Sequence, residues 1–415
     1  MKKKLYSLMV AIVLLVTLLP LGLAESAIEE GAELVYMSMW GEAEPQGMII
    51  AEAIDAFTQE TGVQIDVQFT AREIRKTLEP ALAAGERIDL FDEDIERVTG
   101  AWGKYLLPLD GLASEEYLEG INQTLITLAK KIGNGDGEEG LYMIPYQPST
   151  FVMFYNKDLF DAAGITESPK TWDEFLAACQ ALVDSGVIPM TVDDAYMGAL
   201  FGYTLDRIAG AQKVGEMVSN VDLSDPSVLR AAQVWEEMVT KGYMDKRAAG
   251  NVWPQGQTNI SDETVAMYLN GTWLPNEIKQ QVKEGFRWGS FAFPAIDETG
   301  DGIESNNYGA QCFAINKDTP YPNAAFAFIQ FMTTGEYDQR LADESMGVPM
   351  SNDASWPAEL AEAKGIIDAS TNRLSWAVGM EDNNEIHVAI KDGFAKLIAG
   401  TITAQEFADA LAAVK

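Results

Sequence analysis

Leu34-Val35-Tyr36-Met37-Ser38-Met39-Trp40, the segment 45–61, Val63-Gln64-Ile65-Asp66-Val67-Gln68-Phe69, the segment 74–84 and Ile88-Asp89-Leu90-Phe91 follow one another in the first quarter of the chain. The first run is rich in β-forming residues and Gly41 breaks it. Residues 45–61 carry Ile49, Ile50, Ala53, Ile54 and Phe57 at helical spacing, and Gly62 stops the pattern. Residues 63–69 alternate apolar and polar with period two, which predicts a half-buried strand. Residues 74–84 predict a second helix, kinked at Pro80 and ended by Gly85. Ile88 to Phe91 is a short apolar strand. Strand, helix, strand, helix, strand predicts a parallel α/β sheet.

Further along, 133–140 (Gly-Asn-Gly-Asp-Gly-Glu-Glu-Gly) is a surface loop. Residues 141–146 and 151–155 predict two extended pieces around Gln147-Pro148-Ser149-Thr150. Thr171 with Glu174 three residues on predicts a capping box and a helix reaching Gly186. Strands are expected at 187–192, 264–269, 291–294 and 308–316. Helices are expected at 210–218, 227–240, 324–333 and 336–343, with two more joined at Gly400. No fixed-period repeat and no low-complexity linker divides the chain.

The 415 residues are 47% hydrophobic, enough for two ordinary cores. A formal net charge of −34 argues against nucleic acid and anionic membrane surfaces, whose phosphates would repel it. Lys2, Lys3 and Lys4, the apolar run 8–21 and the small residues Gly22 and Ala24 predict a signal peptide over 1–24. No Cys follows the apolar run, so no lipidation site stands at the cleavage point. Cys179 and Cys312, far apart in apolar surroundings, read as small buried hydrophobes.

His387 is the one histidine. There is no His-Glu-x-x-His, no Cys-x-x-Cys and no Gly-x-Ser-x-Gly, and no metal site or catalytic residue is assigned. Residues 135–140 spell Gly-x-Gly-x-x-Gly, but they lead into a strand instead of opening a helix, and their acids would repel a pyrophosphate. Asp89, Asp92, Glu93, Asp94 and Glu96 crowd the end of the third strand, where α/β sheets bind ligands. Trp40 ends the first strand, Trp273 follows a strand, and Tyr146 and Phe151 flank the extended turn. Flat aromatic faces at strand ends suit the C–H faces of sugar rings, with carboxylates and amides for the hydroxyls.

Five segments carry a resemblance. They are Tyr142-Met143-Ile144-Pro145-Tyr146 with Phe154-Tyr155-Asn156-Lys157-Asp158-Leu159-Phe160, and Ala162-Ala163-Gly164-Ile165 with Pro169-Lys170-Thr171-Trp172-Asp173-Glu174-Phe175. The others are Ala266-Met267-Tyr268-Leu269-Asn270-Gly271-Thr272-Trp273, Phe313-Ala314-Ile315-Asn316-Lys317 with 324–333, and Gly347-Val348-Pro349. In this order they resemble extracellular solute-binding proteins of ABC importers, of the maltose-binding-protein-like (family 1) sugar-binding type, from about Glu33 to the C-terminus.

The resemblance implies a two-lobed periplasmic-binding-protein fold, type II-like. Its α/β lobes would be 32–148 plus 312–348 and 149–311 plus 349–415, with the ligand cleft between them. Crossing hinge segments would fall near 147–151, 309–312 and 347–349. Trp273 matches the family's ligand-stacking Trp after the Asn-Gly turn. The segment 92–97, with Glu93, Asp94 and Arg97, matches first-lobe polar contacts. Ser149 and Thr150 match a position beside the first hinge, and Asn307 and Tyr308 the approach to the second. Trp40, Glu42 and Tyr146 complete the expected ligand-binding set. Asn306-Asn307-Tyr308 departs from the Gly-Gly of many relatives, and many relatives are lipoproteins.

The function implied is that of a non-enzymatic, cofactor-free, monomeric receptor. It would bind a mono- or oligosaccharide and deliver it to the membrane permease of an ABC importer. Its place would be secreted, in the periplasm or at the outer face of the bacterial cytoplasmic membrane. Two alternatives stand beside this. A receptor for a cationic solute such as a polyamine would use the acids at 92–94 and cation–π contacts from Trp40 and Trp273. A secreted glycoside hydrolase would need two carboxylates flanking one bond.

Overall fold

The structure, a computed structural model, describes residues 27–414. The signal peptide expected at 1–24 lies outside the described residues. Strand β1 (Glu33–Ser38) pairs in parallel with β2 (Gln64–Phe69) and with β3 (Leu90–Asp94). Helices α1 (Pro45–Thr61) and α2 (Ile74–Ala83) are the crossovers. Pro45 opens α1, where its missing N–H has no partner to lose. Gly62 ends it at φ 82°, its N–H donating to the Thr58 carbonyl at 2.9 Å. Between these stops the inward face buries Ile49, Ile50, Ala53, Ile54 and Phe57, and each large side chain among them contributes about 1.5–3 kcal/mol.

The remaining strands are β4 (Ile144–Asn156), β5 (Ile188–Thr191), β6 (Val265–Gly271), β7 (Trp288–Phe291), β8 (Ser305–Asn306), β9 (Tyr308–Ile315) and β10 (Asn372–Arg373). They form one path in the order β2-β1-β3-β9-β4-β6-β5, with β7 also on β4, and a small separate pair of β10 with β8. The two extended pieces expected around Gln147 are therefore one strand of 13 residues. Its first half pairs with β9 through 144–150 and its second half with β6 through 151–155. The register shifts between Tyr146 and Pro148, where Gln147 takes φ 43°, so the strand turns without stopping.

Two hydrophobic cores lie on either side of that turn. One gathers residues of 32–146 and 308–341 with Met350; the other gathers 151–293, Val348 and 360–411. Chain passes between them at β4 and at the start of β9. Val348 touches the second core, but residues 350–352 return to the first core beside 120–122. The third crossing therefore falls between Asn352 and Leu360 and not at the expected 347–349. The expected strand at 291–294 falls earlier, at Trp288–Phe291. A helix at Met197–Ala209, with every residue from Met197 to Ile208 buried, has no counterpart among the elements expected from the sequence. Cys179 and Cys312 are buried and unbridged, and burial raises both thiols. Among the described residues no helix is long and apolar enough to cross a membrane.

Candidate functional site

Parallel strands end where their helices begin, so β1 and β3 deliver Trp40 and Asp92–Asp94 to one edge of the first core. From the second core, β6 delivers Trp273 to the facing edge. A cavity of about 120 Å³ lies between them, lined by Trp40, Gln46, Gln147, Ser149, Thr272, Trp273, Asn276, Gln311 and Ser345, with Met346–Val348 at its side. Larger hollows of about 580 and 510 Å³ lie against the helices Ala211–Asn220 and Trp172–Asp184, but second-core segments alone line them.

Trp40 is held from behind. Its indole N–H donates to the Tyr146 hydroxyl at 2.7 Å, and that hydroxyl donates in turn to Asp92. Asp92 also accepts from the Tyr36 hydroxyl at 2.9 Å and the Met39 N–H at 3.1 Å. Burial pushes the Asp92 carboxyl up to about 6, although these donors favour its charged form. Tyr146 itself is fully buried and stacks on Phe313 at 4.1 Å. The Arg72 guanidinium sits over the Trp40 ring at 4.8 Å and pairs with Glu44.

Trp273 is 36% exposed. A Cβ on Gly271 would lie 2.2 Å from its indole, so only glycine there lets the ring fold back over the strand end. Trp376 stacks beside it with centroids 6.3 Å apart, and Phe151 packs edge-on to Trp376 at 4.6 Å. Trp376 opens a left-handed run, Ala377 at φ 42°, Val378 at φ 57° and Gly379 at φ 83°. The two non-glycine residues cost about 1–2 kcal/mol each there. Such strain persists only where surroundings impose it, and here the Ala377 carbonyl is wedged against Gly202.

Of the expected ligand-binding residues, the structure brings Trp40, Ser149 and Trp273 to the cavity. The others are placed elsewhere. Glu42 is exposed on the turn before α1. The Glu93 side chain is fully buried, pairs with Arg75 at 2.6 Å, and is pushed up to about 7 by burial. Asp94 caps helix α3 (Ile95–Trp102) by accepting the Arg97 N–H at 2.9 Å; the Arg97 side chain lies 3.9 Å from both acids. Thr150 is buried, its hydroxyl donating to the Asn307 carbonyl at 2.9 Å. The Asn307 side chain donates to the Leu374 carbonyl, and Tyr308 is 7% exposed. Gln46, Gln147, Asn276 and Gln311, all on the cavity, were missed, as was Trp376 beside Trp273. Amides carry no periodic signature, and Trp376 lies in an irregular segment with nothing local to mark it.

Residues 42–339 match the profile of the family described as bacterial extracellular solute-binding protein. The chain belongs to that family. Among its relatives, a diacetylchitobiose binding protein of Streptomyces coelicolor is 26% identical over 55% of this chain and 50% of its own length. A lactose-binding protein of Rhizobium radiobacter is 22% identical over 64% and 63%. A putative binding protein of Brucella abortus is 26% identical over 45% and 44%. The chain thus spans about half the length of the first relatives it matches. The solved apo-form of RafE from Streptococcus pneumoniae has a TM-score of 0.73 at 20% identity, covering 94% of this chain and 98% of that one. The solute receptor AcbH has a TM-score of 0.71 at 20% identity, covering 92% and 97%. The two-lobed fold of this solute-binding protein is that of these structures.

Proposed function

We propose that this solute-binding protein takes up a neutral mono- or oligosaccharide between its two lobes, one built on the core of 32–146, 308–341 and Met350 and the other on the core of 151–293 and 360–411. It then presents the sugar to the permease of an ABC importer, outside the cytoplasmic membrane. The lining of the cavity carries this reading. The indoles of Trp40 and Trp273 face a space set with four amides and the hydroxyls of Ser149, Thr272 and Ser345. Among the described residues, no ionisable one lines it. Indoles stack on apolar ring faces, while amides both donate to and accept from hydroxyls. A polyamine would need free carboxylates, and the acids nearest by sequence, Glu93 and Asp94, already pair with Arg75.

Two relatives bear the names of neutral sugars, diacetylchitobiose and lactose, which supports the same reading. The cavity of about 120 Å³ is below the roughly 300–1,000 Å³ of ordinary ligand pockets. Room for a whole sugar comes from hinge motion at the crossings. The role is binding alone, with no turnover. A thermal-shift and calorimetric panel of neutral mono- to hexasaccharides against putrescine and spermidine tests this. A sugar should raise the melting temperature by mass action and be recovered intact after hours. Stabilisation by the polyamines with none by any sugar would sink the reading.

A further inference from the structure

Glu96 sits on α3, the helix that plants Ile95, Val98 and Trp102 in the first core. Arg373 belongs to β10, immediately before Leu374 of the second core. The two side chains meet: the Arg373 guanidinium donates to the Glu96 carboxylate across the gap between the cores. We propose that this pair is an interlobe clasp, which holds the cleft narrow before any ligand arrives and makes its opening sensitive to ionic strength.

The geometry favours a clasp over a chance surface contact. Arg373 is preset, since its Nε donates to the Tyr308 carbonyl at 2.7 Å, on the strand that crosses between the cores. Its side chain is 19% exposed, whereas Glu96 is 56% exposed on the rim. Asp94 is the other charged group acting on it. One partner is therefore fixed at the hinge and the other rides on the opposite lobe. The pair exists only while the lobes are close. Opening separates the charges and strands a mostly buried guanidinium beside Asp94 alone, a cost that biases the equilibrium toward closure. Because the carboxylate is solvated, salt weakens the attraction. Trp40 and Trp273 line one small cavity in the arrangement the clasp secures. The clasp rests on the two-lobed fold and not on the identity of the sugar.

The test needs no ligand. Spin labels on Glu60→Cys in α1 and Asp184→Cys on the second lobe report the interlobe distance, and small-angle scattering reports overall size. In the unliganded protein with Glu96 intact, raising sodium chloride from about 20 to about 500 mM should lengthen the distance. Glu96→Gln should show the longer distance already at low salt, with the open population raised roughly three- to tenfold, and should lose the salt response. Glu96→Asp should restore part of both. Glu96→Gln leaves the mostly buried Arg373 guanidinium beside Asp94 alone, so it should lower the melting temperature slightly, and the distances are read on the folded protein. Identical distances for Glu96→Gln and the parent at low salt, or equal salt responses in both, would overturn the clasp. A failure of every sugar to bind would leave these distances untouched and would count against the sugar alone.

Discussion

Trp273 rests on Gly271, where any side chain would occupy the space of its ring. Its exposure of 36% leaves a face free for ligand, so Trp273→Ala should weaken sugar binding by about 1–3 kcal/mol and barely change unliganded stability. A core tryptophan would instead cost about 3–5 kcal/mol of folding stability on truncation. Calorimetry and urea unfolding on the same variant separate the two. Gly271→Ala, which leaves the indole in the chain but pushes it off its seat, should weaken binding in the same assay. At this scale the sequence marked strand ends that border the cavity without showing which way their side chains turn. Trp40 and Trp273 reach the cavity, while Tyr146, immediately before the turn at Gln147, goes into the wall and steadies Trp40. The difference lies in which partner, Asp92 or solvent, each side chain meets after the strands are assembled.

Elements show the same division. Thr171 caps its helix by accepting the Glu174 N–H while Glu174 accepts the Thr171 N–H, as the local spacing requires. The helix Met197–Ala209 is buried from Met197 to Ile208, Asp206 and Arg207 included, so its polar residues mark no solvent-facing side. That helix nonetheless shapes the site, because the carbonyl of Ala377 docks on Gly202 and thereby sets the strained turn that carries Trp376. A methyl at Gly202 would lie 2.2 Å from that carbonyl. Gly202→Ala should therefore cost about 1–3 kcal/mol of stability, seen in denaturant unfolding. It should also weaken sugar binding by displacing Trp376 from Trp273. A variant that loses stability but binds at parental affinity would detach Trp376 from the site.

Over the whole molecule, buried carboxyls decide the response to pH. Burial raises Asp92 and Asp338 to about 6 and Glu93 and Asp206 to about 7. In the unfolded chain such groups titrate near 4. The folded state therefore holds these protons more tightly. The stability they contribute is fully present below about pH 4 and is lost as pH rises through about 6 to 7. Self-repulsion from a net charge of −34 acts in the same direction. Exposed acids such as Asp158, lowered by hydrogen bonding and pairing with Arg287, oppose this only at the acid end. The melting temperature of the unliganded protein should be higher at about pH 5 than at about pH 8, and salt should recover part of the difference. Scanning calorimetry at the two pH values checks it, and a higher melting temperature at about pH 8 would refute it.

The parallel β1–β3 unit, the capped helices and the family were legible in the residues alone. Each depends on neighbours within a few residues or on ordered motifs: Pro45 and Gly62 bound α1, and Thr171 with Glu174 opens the helix Trp172–Asp184. That 144–156 is one strand serving both cores emerges only once the chain is assembled. The same holds for the pairing of Glu93 with Arg75 and for the convergence of Gln46, Gln147, Asn276 and Gln311 on one cavity. Those residues come from segments far apart in the chain. Their meeting, and the contact of Glu96 with Arg373 across 277 positions, depends on how two cores pack about a shared pair of strands, which no local pattern encodes.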